Sequence, residues 1–360
     1  MRIAVIGAGI FGITAAWKLA SQGNEVDLYE REKEILQAAS GINQYRLHVG
    51  YHYPRSDETA LDSQRGSKVF EKEYGGCIIK NTENYYCISK KDSQTSKEEF
   101  LKFCKKHNLP SVEKDCPVVK KDLISLSIKA EESLFDIEKL RKICKEKLNY
   151  NKVNIIFKEV DIDSLNNYDF IVHALYANRN HPFKNKPKLQ KDLQFELCEK
   201  PVVKLPNIYK NQSVVILDGA FMCIDPLGET GYHVMGNVVH AIHKTNIGKS
   251  PEIPEEFKLL LNKGIIKNPK ITNIKKFFDS AKDYFIDINQ AIHIGSMYTI
   301  RTVLPKREHD DARPTIVQKI SNREFSIFSG KIGTCVLAAN ILGDEIAKLQ
   351  NLNINLMQKN

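Results

Sequence analysis

The feature that most constrains the fold of this 360-residue chain is a G-x-G-x-x-G turn close to its first residue. The turn spans residues 7–12, follows a short β-branched run at 2–6 and precedes an amphipathic stretch at 11–21. A second apolar run follows at 25–29. A strand, a glycine turn, a helix and a strand within about 30 residues are typical of the βαβ unit of a doubly wound parallel sheet. The sequence therefore predicts an α/β, Rossmann-like domain.

Each glycine of the turn has a separate physical role. Gly7 permits the tight turn, Gly9 leaves room for a pyrophosphate to approach the backbone, and Gly12 allows the helix to pack closely on the strand. The unpaired N–H groups at the start of the helix attract negative charge. We therefore expect a dinucleotide to bind here, in contact also with the residues between the glycines, Ala8, Ile10 and Phe11.

An acidic residue follows the turn at the spacing that a dinucleotide site requires. Glu30 ends the second apolar run, where a carboxylate can accept hydrogen bonds from ribose hydroxyls. Arg31, directly after it, is a further candidate for cofactor contact. A strand before the turn, a helix after it and an acid at the right distance favour a dinucleotide site over an empty glycine turn.

Two further segments distinguish a flavin from a nicotinamide cofactor. Residues 328–334 again combine a strand, a glycine turn and the start of a helix, so a second helix N-terminus can face another part of one long cofactor. Residues 39–54 form a loop rich in glycine, arginine, histidine and tyrosine, and such loops are usually functional when ordered.

Together these segments resemble the FAD-dependent D-amino acid oxidase-like (DAO) superfamily. That superfamily includes glycine oxidases, glycerol-3-phosphate dehydrogenases and L-2-hydroxyglutarate dehydrogenases. Residues 48–54 are most similar to the His-x-Gly-x-x-Tyr stretch of the 2-hydroxyglutarate branch. The resemblance covers residues 1–60 and 325–348 and is thin between them.

The resemblance implies FAD as the cofactor and assigns its contacts. It places Gly7, Gly9 and Gly12 on the pyrophosphate and Glu30 on the adenosine ribose. The remaining contacts that it implies are Ser40, Asn43 and Gln44 beside the pyrophosphate and flavin, the backbone of Val160 at the adenine edge, Ala174 in a turn beside the cofactor, and Gly330, Lys331, Ile332 and Thr334 beside the isoalloxazine and ribityl chain. The turn at Ala174 departs from the A-T-G of the family, because Leu175 and Tyr176 follow it here.

The chemistry expected from such a site is hydride transfer from a CH–OH or CH–NH group of a small acid to flavin N5. His48 is the preferred base, because histidine titrates near neutral pH, although a structural histidine is the alternative. The resemblance also implies an arginine for a substrate carboxylate, and Arg301 is favoured over Arg313 for this role. Further substrate contacts are expected from Arg46, His52, Tyr53 and Tyr176.

Composition leaves two alternatives open and argues against others. The net charge of +9 is spread along the chain, which argues against nucleic-acid binding but allows a phosphate-bearing substrate. One alternative is therefore a flavoenzyme acting on a sugar or nucleotide-sugar in surface polysaccharide biosynthesis, and a more distant one is a non-catalytic binding protein resembling the GDP-dissociation inhibitors. The electron acceptor stays unknown.

The cysteines and the apolar runs bear on location and metal content. The eight cysteines include no C-x-x-C pair, so we expect reduced thiols and no metal site. No apolar run approaches the about 20 residues of a transmembrane helix. We therefore expect a cytoplasmic protein.

The order of the predicted elements indicates two domains that interleave along the chain. The FAD-binding domain is expected to comprise residues 1–75, 145–180 and 295–350. A substrate domain, α+β with a mainly antiparallel sheet, is expected from residues 76–144 and 181–294. Helices are predicted at 59–74, 95–107, 131–148, 251–263, 273–283 and 334–349, and strands in most of the remaining apolar segments.

Overall fold

A computed structural model describes residues 1–219, 222–307, 310 and 312–357 of the chain, and the side chains up to residue 351. Two sheets organise these residues. The first has six strands, which in spatial order are Ile316–Lys319, Glu324–Phe328, Phe170–His173, Arg2–Ile6, Glu25–Glu30 and Asn154–Phe157. Its pairings are parallel except at the edge, where Ile316–Lys319 runs antiparallel to its neighbour. The predicted doubly wound α/β sheet is confirmed.

The register of the three central strands brings their carboxyl ends to one place. Ile6, the last residue of the first strand, pairs with Tyr29 on one side and His173 on the other. The chain segments that follow these three strands therefore emerge side by side at one edge of the sheet. In a doubly wound sheet, ligands bind outside this edge.

Seven α-helices are described, with the bounds Ile10–Ser21, Asp57–Tyr74, Lys97–Lys106, Ile137–Tyr150, Glu255–Lys258, Ile274–Tyr284 and Cys335–Met357. The first and last of them pack against each other, and both contribute to the same hydrophobic core as the central strands. Local sequence explains several helix starts. Ser96 and Glu99, for example, form a reciprocal capping box in front of Lys97–Lys106.

The second sheet has nine strands and is mainly antiparallel, as predicted. In spatial order eight of them are Ile242–Gly248, Leu193–Lys204, His233–Asn237, Met222–Pro226, Gln212–Leu217, Glu83–Ser89, Ile124–Ala130 and Val112–Glu113, and the ninth, Ile292–Val303, pairs with Leu193–Lys204. The pairing of Gln212–Leu217 with Glu83–Ser89 is parallel. A small separate ribbon joins Arg46–Leu47 to Ser133–Leu134.

Three predicted elements differ from the observed ones. The helix expected at 131–148 begins only at Ile137, because the Asp136 carboxylate accepts the backbone N–H groups of Glu138 and Lys139 and caps it there. The helix expected at 251–263 is reduced to Glu255–Lys258. The β-type pattern of residues 284–294 predicts a strand there, and this prediction is wrong for most of its length, since Ile292–Val303 begins near its end.

The strand Ile292–Val303 also bears on the expected division into domains. It pairs along its length with Leu193–Lys204, so it belongs to the second sheet. The expected domain boundary at residue 295 therefore falls inside a strand of that sheet. A strand that the sequence did not predict, Ile124–Ala130, completes the sheet, with alternate residues buried.

Candidate functional site

The glycine turn lies at the carboxyl edge of the six-stranded sheet, between Arg2–Ile6 and Ile10–Ser21. Gly7 has a φ of +100°, and a Cβ at this residue would lie 2.6 Å from the carbonyl oxygen of Ala174. A Cβ at Gly12 would collide with the carbonyl oxygen of Gly7. Both positions therefore require glycine, which is the close packing that the motif predicts.

Polar groups from two other segments surround this turn. The Glu30 carboxylate accepts the backbone N–H of Ala8 at 2.7 Å and that of Glu32 at 2.9 Å. The Ser40 hydroxyl oxygen accepts the backbone N–H of Ile10 at 3.1 Å, at the first residue of the helix. The fold thus brings the predicted acid and the predicted loop serine to the same turn.

One cavity of about 730 Å³ runs from this turn to the second sheet. Its size is within the range of cofactor and ligand pockets in enzymes. It is lined by these residues expected to contact cofactor or substrate: Gly7, Ala8, Gly9, Ile10, Phe11, Glu30, Arg31, Ser40, Asn43, Gln44, Arg46, His48, His52, Tyr53, Val160, Ala174, Tyr176, Arg301, Gly330, Lys331 and Ile332. The fold therefore gathers segments from both ends of the chain around one space.

Two predicted cofactor residues lie behind the wall of the cavity. Gly12 lies under the turn, where it allows the close packing described above. Thr334 is buried, and its hydroxyl donates to the Lys331 carbonyl at 2.9 Å and accepts from the Thr315 hydroxyl at 2.7 Å. Both residues support the wall of the cavity from behind.

At the far end of the cavity, Arg46 belongs to a buried ionic network. Its Nη1 lies 3.0 Å from Glu132 Oε1, and its Nη2 lies 2.8 Å from Asp225 Oδ1. Gln44 Nε2 donates to the other oxygen of Asp225 at 3.0 Å. The Arg46 guanidinium therefore joins the loop of residues 39–54 to the second sheet.

His48 lies between this network and the cavity. Its Nδ1 is 3.4 Å from Glu132 Oε1, and the exposed 18% of its side chain borders the cavity. Burial lowers the pKa of His48; Glu132 opposes this effect, and Lys331 and Arg46 add to it. His48 is therefore held close to a carboxylate and yet favours its neutral form.

His52, Tyr53 and Lys331 surround His48. The ring centroid of His52 lies 4.7 Å from that of His48, and burial lowers the pKa of His52 well below its usual range. Lys331 Nζ lies 3.6 Å from the centre of the Tyr53 ring, and burial lowers the pKa of this lysine well below its usual range. Enclosure by protein thus disfavours added positive charge at this end of the cavity.

Arg301 and Tyr176 are also anchored by the protein. Arg301 Nε donates to the buried Glu196 carboxylate, which belongs to the neighbouring strand. The Tyr176 hydroxyl oxygen accepts the backbone N–H of Thr302 at 2.9 Å, and its ring stacks on Phe328. Both side chains still line the cavity, so their predicted contact with a substrate stays a prediction.

Sequence reasoning missed several residues of the site. Glu132 was placed in a helix, and nothing in its local pattern separates it from the neighbouring acid, Glu131. Arg55, which also lines the cavity, lies 2.9 Å from Asp218 in an ion pair between segments distant in sequence. Such partners become visible only when long-range strand pairing is known.

The described part of the chain contains no cluster of three or more histidine, cysteine or acidic side chains arranged to hold a metal ion. All eight cysteines are free and buried. Among the helices described, none has the length and apolar character needed to cross a bilayer.

Comparison with known proteins finds similarity to flavoproteins. Residues 2–122 match the family model DAO, described as FAD dependent oxidoreductase. A curated relative, the FAD-dependent monooxygenase kojA of Aspergillus flavus, is 25% identical over 260 residues, which cover 64% of this chain and 59% of the relative. The FAD-dependent monooxygenase FPY4 of Fusarium mangiferae is 36% identical over 91 residues, 25% of each chain. The chain thus matches from a quarter to about three fifths of the length of these relatives.

Solved structures share the fold over nearly the whole chain. Glycine oxidase from Geobacillus kaustophilus has a TM-score of 0.69 at 14% identity, covering 97% of this chain and 94% of its own. L-α-glycerophosphate oxidase from Mycoplasma pneumoniae, with FAD bound, has a TM-score of 0.69 at 16% identity, with the same coverage. The comparisons thus relate about the first third of the chain to FAD-dependent oxidoreductases, and the solved structures share its fold.

The residues present fit FAD as the cofactor. A Cβ on Gly9 would lie 3.1 Å from the Ser40 hydroxyl oxygen and would narrow the space beside the helix N-terminus. Glu30 and Val160 line one end of the cavity, and Gly330 and Lys331 line it near the histidines. Val160 follows the strand Asn154–Phe157 rather than ending it. Glu30 and Val160 would hold the adenosine part of the cofactor. Gly9 and Ser40 would lie beside the pyrophosphate, and Gly330 and Lys331 beside the flavin, along one continuous cavity.

Proposed function

We propose that this protein oxidises a CH–OH or CH–NH group of a small anionic molecule, with His48 as the base that accepts the proton of the heteroatom. One observation carries the proposal. The glycine turn, the C-terminal turn at Gly330 and His48 border one cavity, so a cofactor held by the two turns would reach the histidine. Bound FAD supplies the hydride acceptor, its N5 atom.

The protonation state of His48 supports its role as a base. Its pKa is lowered by burial, so the neutral imidazole predominates at neutral pH. In the balanced step, the substrate loses a hydride from carbon to the cofactor and a proton from oxygen or nitrogen to His48, and it becomes a carbonyl or an imine.

Basic side chains around the histidines favour an anionic substrate. Arg55, Arg313 and Lys331 line the same cavity as His48, and Arg55 also pairs with Asp218. A carboxylate or a phosphate bound here would offset the cost of burying the two arginines and would favour the charged form of Lys331, which burial by itself disfavours. The structural neighbours include a glycine oxidase and an L-α-glycerophosphate oxidase; glycine carries a carboxylate and glycerophosphate carries a phosphate.

Two classes of substrate are candidates for this reaction. The similarity of residues 48–54 to the 2-hydroxyglutarate branch favours a 2-hydroxy acid. The same basic side chains also suit a sugar phosphate or nucleotide-sugar, which is the second candidate. The two differ in the anionic group and in size, so a substrate panel separates them.

The test is anaerobic reduction of the FAD-loaded protein, followed by absorbance, with panels of 2-hydroxy acids, amino acids, glycerol phosphate and sugar phosphates. We expect one class to bleach the flavin, and His48→Asn to slow the bleaching by about 10²–10⁴-fold, the usual contribution of a positioned base. His240→Asn is the matched control, because His240 is partly buried in the second sheet's connecting segment. Bleaching that is equally fast in His48→Asn would refute the assignment of the base, and a protein that takes up no FAD would refute the whole proposal.

A further inference from the structure

Glu132 is held rigidly against the loop that carries His48. Its side chain is fully buried, two residues after the end of the strand Ile124–Ala130. Oε1 accepts from Arg46 Nη1 at 3.0 Å and from the Tyr86 hydroxyl at 2.8 Å, while Oε2 accepts the backbone N–H of Val49 at 3.1 Å. Because both oxygens are engaged, the carboxylate cannot turn away from His48.

The charge of Glu132 is equally well defined. Burial alone would raise the pKa of this carboxyl group, but His48, Arg46 and Tyr86 lower it to about 2. The side chain is therefore ionised throughout the neutral and mildly acidic range. Arg46, which also pairs with Asp225, supplies the balancing positive charge that lets a carboxylate stay ionised in the interior.

The geometry determines which nitrogen of His48 carries the proton. Nδ1 is buried without a hydrogen bond and lies 3.4 Å from Glu132 Oε1, a separation that substrate binding would have to shorten for a hydrogen bond to form. An ionised carboxylate at this position favours a proton on Nδ1. Nε2 is then the unprotonated nitrogen, and His48 is one of the residues that line the cavity.

The other charged groups around His48 act against Glu132. Arg46 and Lys331 both lower the pKa of His48, and His52 lies with its ring centroid 4.7 Å away. A proton accepted by His48 would therefore be unfavourable without a nearby negative charge. Glu132 provides that charge.

We infer that Glu132 is a positioning residue that keeps His48 in its Nδ1–H form, directs Nε2 at the substrate and stabilises the protonated imidazole. The inference rests on the proposed function, in which His48 is the base. It adds a residue from outside the cavity wall, carried by a different segment of the chain. Asp225, the second carboxylate on Arg46, offers a matched comparison, because its ion pair is to Arg46.

The experiment compares Glu132→Gln and Asp225→Asn in the FAD-loaded protein without substrate. The pKa of His48 is measured by NMR from its Cε1–H resonance, which is assigned by its disappearance in His48→Asn. Loss of a negative charge disfavours the imidazolium, so we expect Glu132→Gln to lower the pKa of His48 by about 1–3 units. Asp225→Asn is expected to leave it close to the wild-type value.

The rate of anaerobic flavin reduction is the second measurement. We expect Glu132→Gln to lower it by part of the about 10²–10⁴-fold that a positioned base contributes. An unchanged His48 pKa in Glu132→Gln, or an equal drop in Asp225→Asn, would overturn the positioning role alone. If the pKa shifts but His48→Asn reduces flavin normally, the proposed base is overturned, and the positioning role with it.

A second variant guards against misfolding. Glu132→Asp keeps the charge but withdraws the carboxylate from His48, so we expect a His48 pKa between those of the wild type and Glu132→Gln. A wild-type pKa in Glu132→Asp together with wild-type flavin reduction would also overturn the inference.

Discussion

The carboxylate of Glu30 accepts the backbone N–H of Ala8 at 2.7 Å and so joins the tip of the second strand to the glycine turn. The bond orients the carboxylate beside the place where a dinucleotide ribose is expected. The acid therefore has two tasks, to hold the turn and to accept hydrogen bonds from the cofactor.

Replacing this acid should weaken cofactor binding. Hydrogen bonds to charged groups contribute about 1.5–3 kcal/mol, so Glu30→Gln should raise the Kd for FAD by roughly 10–100-fold. Titration of apoprotein with FAD, followed by quenching of flavin fluorescence, measures the change. Glu25→Gln, at the exposed start of the same strand, should bind FAD like the wild type. Equal affinity of the two variants would remove Glu30 from the cofactor site.

The packing of the glycine turn predicts an effect on stability. In Gly12→Ala the new methyl group meets the Gly7 carbonyl, which is backbone and cannot rotate away. We expect the free energy of unfolding to fall by about 3 kcal/mol, the upper end of the usual cost of overpacking. Urea denaturation measures it. Gly75→Ala is the control, because a Cβ there meets nothing within 4 Å, and a similar loss in both variants would contradict the packing argument.

The buried network around Arg46 predicts a large penalty for its removal. Arg46→Met would leave Glu132 and Asp225 buried without their shared cation. Breaking a buried pair in this way typically costs about 3–5 kcal/mol. Lys145→Met removes the exposed pair with Glu34 and should cost at most about 1 kcal/mol. The free energy of unfolding of each variant is measured by urea denaturation. Equal losses in Arg46→Met and Lys145→Met would contradict a structural role for Arg46 and would favour its expected contact with substrate.

Two histidines that line the cavity predict how stability depends on pH. Burial lowers the pKa of both His48 and His52, whereas an unfolded histidine binds its proton near pH 6.5. Below about pH 6.5 the unfolded state therefore binds more protons, and stability falls as the pH falls, by up to about 1.4 kcal/mol per unit for each histidine. Unfolding measured between pH 7 and 5 avoids most of the carboxylate titration.

Variants identify the source of this pH dependence. His52→Gln should lose less stability than the wild type over the same interval, because one histidine with a lowered pKa is gone. Replacement of the exposed His181 by glutamine should leave the slope unchanged. A wild-type slope in His52→Gln would show that the folded protein protonates this histidine as readily as the unfolded chain does.

Sequence could predict the parts of the site whose functional residues lie next to a recognisable strand or helix. The glycine turn, Glu30 and the turn at Gly330 each lie within a few residues of a recognisable strand or helix, and the fold places all three as expected. The loop that contains Arg46 and His48 was recognisable by composition. The different environments of its residues could not be predicted from composition. Arg46 takes part in a buried ionic network, whereas His48 borders the cavity.

The order of strand, glycine turn and helix was enough to predict the doubly wound sheet. Few other folds bury the apolar faces of these elements while keeping their backbone geometry. The buried ion pairs could not be predicted in this way, because they depend on long-range contacts in the folded protein. The partners Glu132 and Arg46 are brought together by the ribbon that pairs Arg46–Leu47 with Ser133–Leu134. An ion pair depends on distances of a few ångströms between segments far apart in the chain, and no local pattern records such distances.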